Sequence, residues 1–226
     1  MPDLHYERLA EEHLQQVAAL HEACFEGYYL TRLGPSFLRA MYGWYVDYPQ
    51  AIAHVALDGQ GRVVGFVAGT TDAESYHGSL FRRQGGALLG VLLARLATSP
   101  VETVRLAWER KDLAPQALSS MLGGGTGEPV GSASTPEEGA ASLVSVGVDP
   151  SQRRSGIGRR LTELFVKEAG QGGCEVVTLS VREDNPGARL FYESMGWTEV
   201  STSADEYHGS RSITYQKKTG KEDESR

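Results

Sequence analysis

Residues 143–160 read Leu-Val-Ser-Val-Gly-Val-Asp-Pro-Ser-Gln-Arg-Arg-Ser-Gly-Ile-Gly-Arg-Arg, and this stretch decides the fold. It opens with an apolar run rich in valine, which predicts a strand that ends at the turn signal Asp149-Pro150. Apolar side chains then recur at helical spacing from Ile157 to Ala169, which predicts a helix that begins near Gly156. The sequence therefore predicts a strand, a tight loop and a helix in direct succession.

The loop between this strand and this helix has the composition of an anion site. Gly156 and Gly158 allow backbone N–H groups to converge at the helix N-terminus, where the helix dipole also favours negative charge. Arg153, Arg154 and Arg159 add positive charge that phosphate oxygens can bind. A glycine pair at such a turn can also serve the turn alone. The arginines beside it favour a diphosphate as the ligand.

A second motif follows the next β-branched run, residues 176–181. Residues 185–197 read Asn-Pro-Gly-Ala-Arg-Leu-Phe-Tyr-Glu-Ser-Met-Gly-Trp. Asn185 is a favoured N-cap residue, Pro186 is favoured at the first helical position, and Gly196 is favoured just past a helix C-terminus. The motif therefore predicts a short helix after a strand. Taken alone, an ordinary amphipathic helix would explain it as well.

Together the two motifs resemble the signatures of the Gcn5-related N-acetyltransferase (GNAT) superfamily. Arg153-x-x-Gly156-x-Gly158 resembles the family's pyrophosphate-binding sequence, and it is neither a Walker loop nor a dinucleotide fingerprint. Residues 185–197 are similar to the second signature, with Trp197 in place of the usual Phe. The resemblance is specific over residues 143–197. It implies an α/β (α+β) protein with the GNAT acyl-CoA N-acyltransferase fold, a mixed, partly splayed sheet flanked by helices.

The resemblance also implies a set of cofactor-binding residues. Acetyl-CoA is the expected cosubstrate, with no metal, and enters between the strands at residues 143–148 and 176–181. The backbone at Val146 and Val148 is expected to pair with the pantetheine arm, which Asn185 is expected to contact. The expected pyrophosphate site consists of Arg153, Arg154, Ser155, Gly156, Ile157, Gly158 and Arg159.

Acyl transfer to an amine needs an acid for the leaving thiolate, a donor for the oxyanion and removal of the amine proton. Tyr192 matches the family's general acid, although a half-buried packing role would also explain a tyrosine there. The N–H near Val146 is the expected oxyanion donor. The first strand has no carboxylate, so the base is not identified. Ser142 and Ser145 are the nearest polar side chains on that strand, and Glu26, Glu138 or a chain of water molecules could serve as the base.

The length of 226 residues suits a single domain, residues 1–226. A helical insertion is predicted at about residues 70–122, a flexible Gly/Ser/Pro-rich linker at 123–141 and a disordered tail at 218–226. The other predicted strands are at residues 4–9, 51–57, 63–69, 199–203 and 212–217, and the other predicted helices are at residues 11–25, 35–45, 79–96 and 101–122.

The formal net charge of −7 argues against a general nucleic-acid binder. No apolar run is long enough for a bilayer, which favours a cytoplasmic protein without membrane contact. Cys24 and Cys174 lack the spacing of a metal site. His21 and Cys24 share the apolar stripe of the first predicted helix and are expected at core or boundary positions.

The predicted function is transfer of an acetyl group from acetyl-CoA to a primary amine by direct attack. A small-molecule acceptor is preferred over a protein lysine or N-terminus. A non-catalytic acyl-CoA-binding sensor is the alternative. The leucine-rich helix at residues 79–96 is expected to pack in the core, with an acceptor lid or a homodimer contact as alternatives. Candidate residues for the acceptor side are Tyr28, Tyr29, Tyr76, His77 and Tyr207.

Overall fold

The described part of the chain forms a seven-stranded sheet flanked by helices. The computed structural model describes residues 4–73, 76–109, 139–207 and 210–220. The strands are β1 (His5–Arg8), β2 (Ala51–Leu57), β3 (Val63–Thr70), β4 (Ala140–Val148), β5 (Val176–Arg182), β6 (Thr198–Tyr207) and β7 (Ser210–Lys218). The α-helices are α1 (Leu14–Cys24), α2 (Tyr29–Arg32), α3 (Pro35–Asp47), α4 (Tyr76–Thr98), α5 (Pro100–Glu109), α6 (Ile157–Gln171) and α7 (Pro186–Ser194).

The strand order is β1-β2-β3-β4-β5-β7-β6. Neighbouring strands are antiparallel except β4 and β5, which run parallel. Residues 140–142 of β4 pair with residues 176–178 of β5, and the pairing ends there. Past Ser142 the two strands separate, while β4 stays paired with β3 as far as Val148. This confirms the predicted mixed, partly splayed sheet.

A β-bulge in β4 decides which of its side chains face which layer. The register between β3 and β4 skips Val144, which lies between Leu143 and Ser145. Because side chains alternate along a strand, one extra residue reverses the faces of all residues that follow it. Val146 and Val148 consequently join Leu143 against the core beneath α6. Ser145 therefore faces the opposite layer, which α1 and α3 form.

Two apolar cores lie on the two faces of the sheet. Helix α6 covers one face, where Leu161 and Phe165 are fully buried against β2, β3 and β5. Helices α1, α3 and α4 cover the other face, where Trp44 and Phe66 are at most 1% exposed. Within each of these helices the apolar residues recur at helical spacing, and this apolar face is what holds the helix against the sheet.

Two glycines of β3 permit α6 to lie close to the sheet. A Cβ atom on Gly65 would lie 2.7 Å from a methyl carbon of Ile157. A Cβ atom on Gly69 would lie 2.2 Å from the carbonyl oxygen of Ser142. Protein interiors are packed too densely to absorb contacts of this length. Larger residues are therefore excluded from this strip of β3.

The predicted elements that fall within the described residues are present, with shifts at their ends. Strand β4 begins at Ala140, so the predicted linker wrongly included Ala140 and Ala141. Both residues are buried, but such small residues carry little strand signal in a sequence. Strand β7 continues to Lys218. The predicted helical insertion is described as far as Glu109, and residues 110–122 of it, the linker at 123–138 and the tail at 221–226 lie outside the described residues. None of the helices described is both long enough and apolar enough to cross a bilayer.

Candidate active site

The separation of β4 from β5 opens a cleft with a volume of about 1540 Å³. Three groups of residues line it. The first is the loop before α6, the second is the separated part of β4 and β5 together with α7, and the third is a set of aromatic residues from α1 to α4. The cleft thus joins a cationic loop, two strand edges and an aromatic wall.

The loop before α6 has the backbone geometry of an anion-binding helix N-terminus. Gly156 has a φ of +88° and is the N-cap residue of α6, with no side-chain capping bond. The Arg160 N–H donates to the Gly156 carbonyl at 3.0 Å. The N–H groups that precede it in the first turn, including that of Gly158, have no acceptor within the helix. They point outward at the positive end of the helix dipole.

The predicted phosphate residues take different positions around this loop. Arg153 and Arg154 line the cleft, and in the described ranges no carboxylate pairs with either. Arg159 also lines the cleft and donates to Ser194 Oγ at 3.3 Å. The Ser155 hydroxyl donates to the Gln152 carbonyl at 2.5 Å, and Ser155 is not among the lining residues. The Ser155 side chain therefore closes the turn, and only its backbone is available to a ligand.

The open edge of β4 presents backbone groups to the cleft. The Asp149 N–H donates to the Val64 carbonyl of β3 at 2.9 Å. Because N–H directions alternate along a strand, the N–H and carbonyl groups of Val146 and Val148 point away from β3. Both valines line the cleft on the side from which β5 has separated. This edge can pair with an extended amide-containing chain in place of a strand.

Tyr192 lies on α7 at the edge of the cleft. It is 8% exposed, and its ring packs edge-on against Phe191 and Trp197. Burial raises the pKa of Tyr192 well above its ordinary value, so the hydroxyl remains protonated at neutral pH. Asn185 is the N-cap of α7, and its Oδ1 accepts from the Ala188 N–H at 3.1 Å. The structure thus places both sequence-predicted residues beside the cleft.

A buried hydrogen-bond chain reaches the cleft from α1. His21 Nδ1 lies 2.8 Å from the Tyr42 hydroxyl, which donates to Ser145 Oγ at 3.5 Å. A tyrosine hydroxyl has one proton, so while Tyr42 donates to Ser145 its oxygen accepts from His21 in the tautomer that carries its proton on Nδ1. The Nε2 atom of His21 is buried and has no hydrogen-bond partner in the described structure. The chain therefore runs from His21 through Tyr42 to Ser145, and all three residues line the cleft.

We expect His21 to make the protein less stable in mild acid. Burial lowers the pKa of His21 from 6.5 to about 4, so the unfolded chain binds the proton more readily than the folded one. Above the pKa that His21 has in the unfolded chain, its protonation has no effect on the free energy of unfolding. As the pH falls from about 6.5 toward 4, its protonation lowers that free energy. Between pH 7 and pH 5 the wild-type protein should lose about 2 kcal/mol more than His21→Phe, as measured by urea unfolding. Equal losses in the two proteins would contradict the lowered pKa.

The aromatic wall consists of rings that are largely locked in place. The hydroxyls of Tyr45 and Tyr76 lie 2.7 Å apart, and burial raises the pKa of Tyr76 to about 12.

Cys24 donates its thiol to the Val148 carbonyl at 3.3 Å, and burial raises the pKa of this thiol. The cysteine is therefore a neutral thiol at pH 7, which makes it a poor nucleophile.

One cluster of three potential metal ligands occurs in the described structure, and it is a helix cap. Glu7, Glu12 and His13 bring their side-chain atoms within 4.8 Å of one another, outside the cleft lining. The Nδ1 atom of His13 accepts from the Ala10 N–H at 3.1 Å. The imidazole proton therefore lies on Nε2, 3.0 Å from a Glu7 oxygen. Both ring nitrogens of His13 are engaged, so the cluster serves the chain rather than a metal.

Several sequence-predicted residues do not reach the cleft or cannot be placed. Glu26 is exposed and is not among the lining residues. Glu138 and the side chains of His77 and Tyr207 lie outside the described residues. Tyr28, Tyr29 and Tyr76 line the cleft as predicted. Sequence reasoning missed the link from His21 to Ser145, because the joining residue, Tyr42, reads as an ordinary apolar position of α3.

A mixed sheet with one pair of parallel strands that separate, beside a glycine-capped helix, is the architecture of a GNAT-fold protein. Residues 93–197 match the family described as Acetyltransferase (GNAT) family. The crystal structure of the ribosomal-protein-S18-alanine N-acetyltransferase from Escherichia coli superposes with a TM-score of 0.57 and 14% identity, over 99% of this chain and 98% of that chain. The resemblance to the GNAT superfamily predicted from the two signatures is confirmed by this match and by the shared fold.

Two relatives named as acetyltransferases each match a short segment of this chain. A [Ribosomal protein bS18]-alanine N-acetyltransferase of Escherichia coli (strain K12) is 36% identical over 67 residues, which are 30% of this chain and 45% of that protein. A mycothiol acetyltransferase of Kocuria rhizophila is 42% identical over 67 residues, again 30% of this chain and 22% of that protein. The match spans less than half the length of either relative.

Proposed function

We propose that this chain is an N-acetyltransferase that moves the acetyl group of acetyl-CoA to a primary amine by direct attack. One observation carries the proposal: the open backbone edge of β4 leads to the glycine-capped, arginine-flanked start of α6. An acyl-CoA has a matching order of groups, with amide-rich pantetheine followed by pyrophosphate. The names of the relatives, both acetyltransferases, support the same chemistry.

The residues around the cleft are proposed to divide the binding of acetyl-CoA between them. Val146 and Val148 pair with the pantetheine amides through their backbone groups, and Asn185 lies beside that arm. The loop of Arg153, Arg154, Ser155, Gly156, Ile157, Gly158 and Arg159 binds the pyrophosphate, with the arginines supplying charge and the first-turn N–H groups supplying directed donors.

The chemical step is proposed to need an acid and an oxyanion donor from this chain. The neutral amine attacks the thioester carbon, and the Val146 N–H stabilises the negative charge on the oxygen. Tyr192 then gives its proton to the departing CoA sulfur, the attached nitrogen releases its extra proton to solvent water as the amide forms, and solvent returns a proton to Tyr192. The neutral thiol of Cys24 supports direct attack over an acetyl-cysteine intermediate. Alignment of amine and thioester supplies much of the acceleration, so a strong base is not required.

We propose that the acceptor is a small molecule in which the amine is close to an apolar or aromatic group of the same molecule. The aromatic wall offers the rings of Phe25, Tyr28, Tyr45 and Tyr76. The described residues that line the cleft include arginines but no carboxylate, so a polycation would find no opposite charge among them. A protein lysine or N-terminus is the less favoured acceptor on this proposal.

The test of the function is amine-dependent release of the CoA thiol from acetyl-CoA. The panel contains spermidine, glucosamine, kanamycin, L-alanine amide, phenethylamine, a lysine peptide and a peptide with N-terminal alanine. Release with phenethylamine or alanine amide and little with spermidine is expected. Calorimetric binding of CoA without release on any amine would overturn the enzyme proposal in favour of a non-catalytic acyl-CoA sensor.

The pyrophosphate assignment predicts a large loss of CoA affinity in the double variant Arg153→Ala, Gly156→Val. Valine is strained at a φ of +88°, so the first-turn N–H groups lose their arrangement, and the arginine change removes a charged donor. The Kd for CoA, measured by calorimetry, should rise on the order of 50-fold. Arg160→Ala is the matched control, because Arg160 lies in the same turn but outside the cleft lining.

The same variant should leave the affinity for acetyl-pantetheine unchanged, because that probe has no pyrophosphate. A parallel loss for both probes would mean that the substitutions disturb the cleft as a whole. An unchanged CoA affinity would show that the pyrophosphate binds elsewhere.

A further inference from the structure

The hydroxyl of Ser145 is the end of the hydrogen-bond chain that begins at His21. Ser145 Oγ accepts from Tyr42, so its own proton is not used in that bond. Within the described residues this proton has no acceptor, and Ser145 lines the cleft. The bulge at Val144 is what turns Ser145 toward α3 and Tyr42, because without the extra residue the side chain would face α6. The fold thus presents one polarised O–H group at this point of β4.

The direction of the chain decides what Ser145 can do. In the tautomer with the imidazole proton on Nδ1, His21 donates to Tyr42 and Tyr42 donates to Ser145, and hydrogen bonds that follow one another in one direction strengthen the last donor. A hydrogen-bond donor cannot assist the attacking amine, because a bond to the amine nitrogen would occupy the lone pair that must attack the thioester carbon. The group that a donor stabilises is the oxygen on which negative charge develops.

The position of Ser145 brings this donor beside the backbone group already assigned to the oxyanion. The N–H of Val146 belongs to the peptide that directly follows Ser145, so hydroxyl and N–H are only a few bonds apart. We propose that Ser145 is a catalytic residue that donates a second hydrogen bond to the thioester oxygen, with Tyr42 and His21 as positioning residues behind it. This inference rests on the proposed acetyl transfer.

On this proposal Ser145 is a hydrogen-bond donor and not the base that removes the amine proton. Neither His21, which burial keeps neutral above about pH 4, nor Tyr42, whose pKa burial raises, carries charge at neutral pH. The three residues therefore form a neutral donor chain. No proton is transferred along it during the reaction. The carbonyl oxygen gains negative charge as the N–C bond forms, and the C=O double bond is restored as the C–S bond breaks.

The closing experiment compares Ser145→Ala, Ser145→Thr and Tyr42→Phe with the wild-type protein, on the most active amine of the panel. The kcat of Ser145→Ala should fall about 100-fold, whereas Ser145→Thr keeps a hydroxyl and should stay within about fivefold. Tyr42→Phe, which leaves Ser145 unpolarised, should cost about 10-fold. In all three variants the KM for acetyl-CoA and the Kd for CoA should be unchanged, because the bond is made to the charged oxygen.

Tyr48→Phe is the matched control, because Tyr48 directly follows the helix that carries Tyr42 and its hydroxyl bonds to Asp72 outside the cleft lining. Its kcat should equal that of the wild type. An unchanged kcat in Ser145→Ala, or equal losses in Ser145→Ala and Ser145→Thr, would overturn the donor role while leaving the acetyltransferase proposal intact. No amine-dependent turnover in the wild-type protein would overturn both. If Tyr42→Phe does not fold, the comparison of Ser145→Ala with Ser145→Thr still tests the donor role of Ser145.

Nitrogen NMR of His21 supplies a readout that does not depend on turnover. The proton of the neutral imidazole is expected on Nδ1 in the wild type, because the Tyr42 oxygen accepts it. A proton on Nε2 would reverse the direction of the chain and overturn the proposal.

Discussion

Replacement of Gly69 by alanine is expected to lower the free energy of unfolding by about 3 kcal/mol, although it adds a single methyl group. The new Cβ atom would lie 2.2 Å from the Ser142 carbonyl oxygen and 2.6 Å from the ring of Phe165. The carbonyl is backbone, and Ser142 is the last residue of β4 that is paired with β5. The fully buried ring of Phe165 has no space to move into. Relief of the clash therefore requires the sheet to open.

Urea unfolding followed by circular dichroism measures this loss. Gly90→Ala is the control, because Gly90 lies in α4 with nothing within 4 Å of a Cβ atom. That variant should be as stable as the wild type or up to about 1 kcal/mol more stable, since alanine favours helix. A Gly69→Ala protein with wild-type stability would show that β3 and β4 can separate freely. A folded variant should bind CoA more weakly, because Ser142 marks the point where the cleft begins.

The architecture could be predicted from local sequence signals. The switch from strand to helix periodicity around Asp149-Pro150 and the cap residues around α7 are each decided within about ten residues of chain. The two signatures then pointed to the family, and that resemblance implied the mixed sheet and the splay between β4 and β5. Periodicity alone could not have supplied either, because strand pairing depends on contacts between distant residues.

The details of the site depend on such distant contacts. The bulge at Val144 has no local signal, yet it decides that Ser145 faces α3 rather than α6. His21 was predicted at a core or boundary position and is buried, as expected. Its importance comes from Tyr42, which lies on another helix and is joined to it by a hydrogen bond. A sequence shows that both residues are apolar-stripe positions, but it does not show that they meet.

Tyr192→Phe is expected to lower kcat about 1000-fold while leaving the Kd for CoA unchanged. The change removes only the proton that is proposed to go to the CoA sulfur. The Tyr192 hydroxyl makes no hydrogen bond within the described structure, so its loss leaves no buried partner unsatisfied. The ring contacts with Phe191 and Trp197 are kept by phenylalanine. Because burial raises the pKa of Tyr192, its ionisation should add no limb to the pH profile at neutral pH.

Steady-state thiol release, with CoA binding by calorimetry, separates this acid role from packing. Tyr215→Phe is the matched control: its ring lies 6.5 Å from that of Tyr192, and its hydroxyl donates to Glu193 at 2.8 Å, away from the cleft. That variant should lose about 1 kcal/mol of stability and keep its turnover. If Tyr192→Phe kept kcat within about threefold of the wild type, the tyrosine would be a packing residue. The thiolate would then leave without a proton from this chain.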